Sequence, residues 1–152
     1  GDSSAVASAA ALLEHPDPEM GLASMRALAW MADDWAHDEA LAAVVGQLES
    51  SSPLARQSAV RALSGLVESG NERAIEAVGR HMGHSVEGVR QCAAQLLLHA
   101  EKGNRQAVSS LGSCLEHHDW RVRRDAMRML VQVVDKGDEY AVAVVRSRLE
   151  HA

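Results

Sequence analysis

One phrase returns along this chain at a nearly constant interval, and that period limits the fold more than any other property. It reads Gly70-Asn71-Glu72-Arg73-Ala74-Ile75, then Val78 and Met82. It returns as Gly103-Asn104-Arg105-Gln106-Ala107-Val108, then Leu111 and Leu115, and again as Gly137-Asp138-Glu139-Tyr140-Ala141-Val142, then Val145 and Leu149. The anchoring Ala74, Ala107 and Ala141 stand 33 and 34 positions apart. One period earlier, Ala40-Leu41, Val44 and Leu48 fit the same spacing without a glycine in the preceding turn. A second phrase alternates with the first: Ala55-Arg56, Val89-Arg90 and Val122-Arg123, followed by Ala59, Ala93 or Ala126 and then Leu63, Leu97 or Leu130. Both phrases set apolar residues at helical spacing, so each period holds two short helices. One such hairpin cannot bury its own apolar faces and needs neighbours, so the period predicts a stacked array of helical hairpins.

The turn residues agree. Gly70, Gly103 and Gly137 suit the left-handed position that closes a helix, and Asn71, Asn104 and Asp138 suit the cap that opens the next. Between repeats, Asp17-Pro18 and Ser52-Pro53 supply a cap with proline at the first helical position. Asp119 is the expected cap of the last unit, and Ser85 that of the third, where Val86 holds the aligned place. The register predicts helices over 18–33, 38–49, 53–68, 72–82, 87–101, 105–116, 120–135 and 139–150. A lone second helix within 1–15 precedes four hairpins, 16–49, 50–82, 83–116 and 117–152, making about nine helices in one all-α array. Gly1 to His15 aligns over Gly137 to His151, from which either a piece of a longer array or ends that dock on partners is expected. The first hairpin is irregular: Gly21 stands where later units carry arginine, and an extra residue falls near Trp35.

These units resemble HEAT repeats over essentially the whole chain. The Val-Arg-x-x-Ala-x-x-x-Leu helix (Val89, Arg90, Ala93, Leu97; Val122, Arg123, Ala126, Leu130) looks most like the short HEAT repeats of phycobilisome-lyase type. The units here are about one helical turn longer than those. The arginine ladder of longer HEAT repeats is replaced by Ala77, Ser110 and Val144. The resemblance implies a right-handed, armadillo-type α-solenoid whose second helices line a concave surface. It specifies architecture far more than function.

Charge is distributed unevenly. Residues 1–50 hold one cation, Arg26, against nine acids, whereas 101–152 hold nine cations against eight acids. With a net charge of −6, general nucleic-acid binding is disfavoured, because phosphate affinity rests on lysine and arginine. No apolar run is long enough to span a bilayer. Cys92 and Cys114 form no disulfide framework, which favours an intracellular compartment, cytoplasm or organelle interior.

Candidate chemistry is sparse. His81, His84, Cys114, His117 and His118 are a zinc-competent set of residue types. However, His15, His84, His117 and His151 share one repeat position, where a cation-capable side chain suits a helix C-terminus and its last carbonyls. That reading displaces a metal site. Trp120, Arg121, Arg124 and Arg128 form the densest cationic cluster, and Trp and Arg are enriched at binding hot spots. Arg123 is set apart from it, because it aligns with Arg56 and Arg90 and is expected to bond carboxylates or carbonyls along the stack. The second helices offer a further row, Glu39, Arg73, Gln106 and Tyr140, then Gly46, Arg80, Ser113 and Ser147. Small neighbours (Ala42, Ala43, Ser109, Ser110, Ala143) would either admit a partner or set helix spacing. Trp30 and Trp35 are undecided between surface and core. Asp33-Asp34 and the scattered glutamates read as solvated carboxylates with ordinary acidity. No nucleophile elbow, P-loop, dinucleotide fingerprint or metalloprotease helix occurs.

The expected function is therefore a non-catalytic protein–protein interaction module, an adaptor or accessory subunit of a larger assembly. It calls for no cofactor, metal or small molecule. Two alternatives stand beside it: a pigment-attachment lyase or chaperone, on subfamily resemblance alone, and nucleic-acid contact through the fourth unit's arginines.

Overall fold

A computed structural model describes residues 2–13, 15–34 and 38–149. Among the described residues there are nine α-helices and no strand. They are α1 (Asp2–Ala11), α2 (Pro18–Asp34), α3 (Asp38–Gly46), α4 (Pro53–Glu68), α5 (Glu72–Arg80), α6 (Glu87–Leu97), α7 (Arg105–Ser113), α8 (Trp120–Val133) and α9 (Glu139–Leu149). The chain divides inside α4 into two compact units, 1–66 and 67–152.

Within 67–152, α5, α7 and α9 lie side by side in chain order, α6 rests against α5, and α8 against α7. Each helix touches its own or the adjacent repeat, as the stacking argument requires. The core follows the repeat: Ala74, Ile75 and Val78 recur as Ala107, Val108 and Leu111, all fully buried. Ala93 with Leu97 recurs as Ala126 with Leu130. Gly70, Gly103 and Gly137 have φ of +78°, +75° and +90°, the left-handed region that a side chain disfavours. Beyond them, Asn71, Asn104 and Asp138 each accept, through Oδ1, the amide three residues on, at 3.1, 3.0 and 2.9 Å. The Gly103 amide also donates to the Val133 carbonyl at 2.7 Å, tying one repeat's turn to the end of the next repeat's first helix.

Helix boundaries differ from expectation in three ways. α3, α5 and α7 each end in a three-residue 3₁₀ turn, at 47–49, 81–83 and 114–116, because the last free carbonyls are satisfied by tighter bonds. α6 stops at Leu97 and α8 at Val133, short of 101 and 135. The N-cap of α6 is Val86, which offers no side-chain acceptor, and not Ser85. Asp119 caps α8 as expected, accepting from the Arg121 amide at 2.9 Å.

Within 1–66, α1 packs on α2 and α3, and α2 on α3. Buried Ser24 donates its hydroxyl to the Ala9 carbonyl. A Cβ on Gly21 would lie 3.2 Å from the Leu13 carbonyl oxygen. The backbone at the end of α1 therefore comes close to the position that carries arginine in later units.

Candidate protein-binding surface

The inter-repeat turns come first, because they decide which polar residues are committed internally. Arg56 donates to the carbonyls of Ser50 and Ser51 at 2.7 and 3.2 Å. Arg90 donates to those of His84 and Ser85 at 2.9 and 3.0 Å, and Arg123 to those of His117 and His118 at 2.7 and 2.9 Å. In each of these three repeats one arginine thus clamps the turn leading into its own helix. Arg90, almost wholly buried, also reaches Asp125 of the next repeat at 3.3 Å.

The aligned histidines act differently from expectation. Nδ1 of His15, His84 and His117 accepts the backbone amide two residues on, from Asp17, Val86 and Asp119, at 3.0, 3.1 and 3.1 Å. Ser50 does the same with its hydroxyl toward Ser52, at 3.2 Å. The position needs an acceptor that steers the chain into the next helix, not a cation over spent carbonyls. His151 lies outside the described residues. His118 stacks on His117 with centroids 4.2 Å apart, His81 Nδ1 sits 2.9 Å from the Ala77 carbonyl, and burial raises the Cys114 thiol pKa. Among the described residues, no three His, Cys, Asp or Glu side chains converge as metal ligands.

The second-helix residues are placed as follows. Glu39 is exposed at the start of α3, in the 1–66 unit. Arg73 and Gln106 are half-buried on α5 and α7. Arg80 is ion-paired with Glu76 one turn back, at 2.6 Å. Tyr140 receives the Arg105 guanidinium over its ring, 5.3 Å from the centroid, a pairing that repeat spacing had not indicated. The small residues divide in favour of helix spacing where contacts are resolved. A Cβ on Gly79 would collide with Ser110, and one on Gly112 with Val144. Ser110 and Val144 are two of the positions at which longer HEAT repeats carry the ladder arginine, and here they fill notches in the preceding second helix.

α8 gathers Trp120, Arg121, Arg124 and Arg128 on one element. The guanidiniums of Arg121 and Arg124 lie over the Trp120 ring, 5.3 and 5.1 Å from its centroid, within cation–π range. Trp120 is 53% exposed, Met127 47% and Val131 74%. With Arg124 and Arg128 these residues follow a helical stripe along the outer side of α8. Met127 and Val131 were missed because core and outer apolar residues look alike to a periodicity argument. Leu98 and Val131 hold the same place one repeat apart, and both are exposed. Trp30 proves exposed; Trp35 and the Asp33 and Asp34 side chains lie outside the described residues.

Comparison with curated proteins finds no match. Among solved structures, the chain is similar to an engineered protein at 22% identity and TM-score 0.48, over 93% of this chain and 67% of that one. A second engineered protein gives 20% and 0.46, over 94% and 40%. A designed armadillo repeat protein solved with a (KR)4 peptide gives 17% and 0.46, over 92% and 68%. The chain thus spans 67% and 40% of the length of the first two. The family described as HEAT repeats matches residues 6–98, well over half of the sequence, with no preference shown for the phycobilisome-lyase type. Its period, capped turns and neighbour-to-neighbour helix packing agree with that match, and the chain belongs to the HEAT-repeat family.

Proposed function

We propose that this chain is a non-catalytic protein-binding module, an accessory or scaffold element of a larger assembly, and that it binds through α8. The observation that carries the reading is the outer stripe of α8, where Trp120, Met127 and Val131 stay exposed between arginines. Exposed large apolar groups in one line mark an interaction surface more than scattered single ones do. The second-helix row is the weaker surface: Ser110 and Val144 are spent on helix spacing, Arg80 on Glu76 and Tyr140 on Arg105. No observation favours pigment attachment.

The test is site-specific photo-cross-linking in native extract, with the photo-reactive residue at Val131 or Met127 and a control at Gln57. A defined protein joined from the α8 positions alone, and lost with Arg121→Glu and Arg124→Glu at unchanged helicity, is the expected result. Equal labelling at all three positions, or a partner retained by the double variant, overturns it.

A further inference from the structure

We propose that the outer face of α8 receives an acidic amphipathic helix from a partner protein. This rests on the protein-binding reading above and adds the chemistry of the occupant.

Charge is the first argument. α8 carries Arg121, Arg123, Arg124 and Arg128 against a single acid. That acid, Asp125, is already engaged by Arg90 at 3.3 Å and Arg124 at 3.0 Å. Three of the four arginines fall within the first five residues of the helix, at the positive end of its macrodipole, where cations are locally unfavourable. Arg123 is occupied with turn carbonyls. The Arg121 ion pair with Asp119 is long, at 3.8 Å. Carboxylates arriving from outside would relieve this concentration of like charge.

Preorganisation is the second. Two guanidiniums already lie over one indole ring, so little side-chain freedom is left to lose when a carboxylate binds them.

The apolar residues define the rest of the occupant. Met127 and Val131 continue the stripe on either side of Arg128, and a phosphate backbone offers them nothing to bury against. From Trp120 to Val131 the stripe runs about 16 Å, or three helical turns. A helix laid along it presents one apolar face at i, i+4, i+7 and i+11 with carboxylates beside it. A second copy docking through α2 fits poorly on this count. The exposed line of α2, Glu19, Met20, Ala23, Arg26 and Trp30, places a cation in the middle of the face that would have to be acidic.

The experiment uses the whole chain and three fluorescein-labelled synthetic helices in polarisation titrations. The first carries leucine at i, i+4, i+7 and i+11 with flanking glutamates; the second replaces the glutamates by lysine, the third the leucines by serine. A single-stranded oligonucleotide of the first peptide's charge is the fourth probe. The acidic apolar helix is expected to bind, with each other probe at least about tenfold weaker. Arg121→Glu with Arg124→Glu is expected to exchange the preference toward the lysine peptide at an unchanged circular dichroism spectrum. Indifference to peptide charge, failure of the acidic helix to bind, tighter binding of the oligonucleotide, or unaltered binding by the double variant each overturns the proposal. Self-association of the unlabelled chain that the double variant abolishes also overturns it, in favour of a second copy. Should photo-cross-linking from Val131 capture a partner through a basic segment, the module reading survives and this inference fails.

Discussion

His15, His84 and His117 show how far a residue's place in a repeat can be legible while its chemistry is not. Their alignment singled out one position, yet each ring accepts an amide through Nδ1, which places the imidazole proton on Nε2. Ser50 performs the same service without any ring, so geometry at the turn, not charge, selects the residue. Gly79 carries the complementary lesson. It reads as a weak helix residue, but it is the notch that admits Ser110. Gly79→Ala is expected to destabilise the chain by about 1–3 kcal/mol through overpacking, with part of the loss recovered in the double variant with Ser110→Gly. Urea denaturation of the two singles and the double checks the coupling. Asp119 gives a pH prediction. The Arg121 amide that it accepts from holds its carboxyl below the ordinary range, helped by nearby Arg121 and Arg90. Its contribution is therefore complete above the unfolded-state pKa and disappears as pH falls through the folded one. Asp119→Asn, which keeps an acceptor oxygen but no charge, should flatten the acid limb of a stability-versus-pH curve. An unchanged limb would remove Asp119 from the account.

Helices were legible to within a few residues where turn chemistry was explicit. Glycine at positive φ followed by an Asn or Asp cap marks the start of α5, α7 and α9. The ends were less so, since the 3₁₀ turns after α3, α5 and α7 depend on which carbonyls find partners after packing. α6 tests the inward assignment of the repeat phrase. Ala93 is fully buried on it, so Ala93→Leu should cost about 1–3 kcal/mol by overpacking, while the same change at neighbouring exposed Gln91 should be nearly silent. Equal melting temperatures for the two variants would contradict the assignment. On α8 the same phrase correctly buried Val122, Ala126 and Leu130 but left the outer face unspecified. Apolar residues there serve no core, so their purpose is invisible to periodicity.

At the scale of the whole molecule, the described helices bury a core repeated in every hairpin, and the thiols report on its integrity. Cys114 is buried, and that burial raises its pKa despite a hydrogen bond with Ser113 that lowers it; Cys92 is less covered. Thiolate is the reactive form, so an alkylating reagent near neutral pH should label Cys92 first and reach Cys114 only as the chain unfolds. Mass mapping after a timed pulse distinguishes the two, and simultaneous labelling in the folded state would refute the burial argument. By itself the sequence determined the period, the capped turns, the helical hairpins and hence the HEAT-repeat family, because these follow from local backbone preference and from apolar spacing along one chain. Tertiary structure alone decided that Ser110 and Val144 fill glycine notches, that Arg90 reaches Asp125 of the next repeat, and that Met127 and Val131 stay exposed. Those outcomes depend on how closely helices from different repeats approach, a distance that no spacing along the chain records.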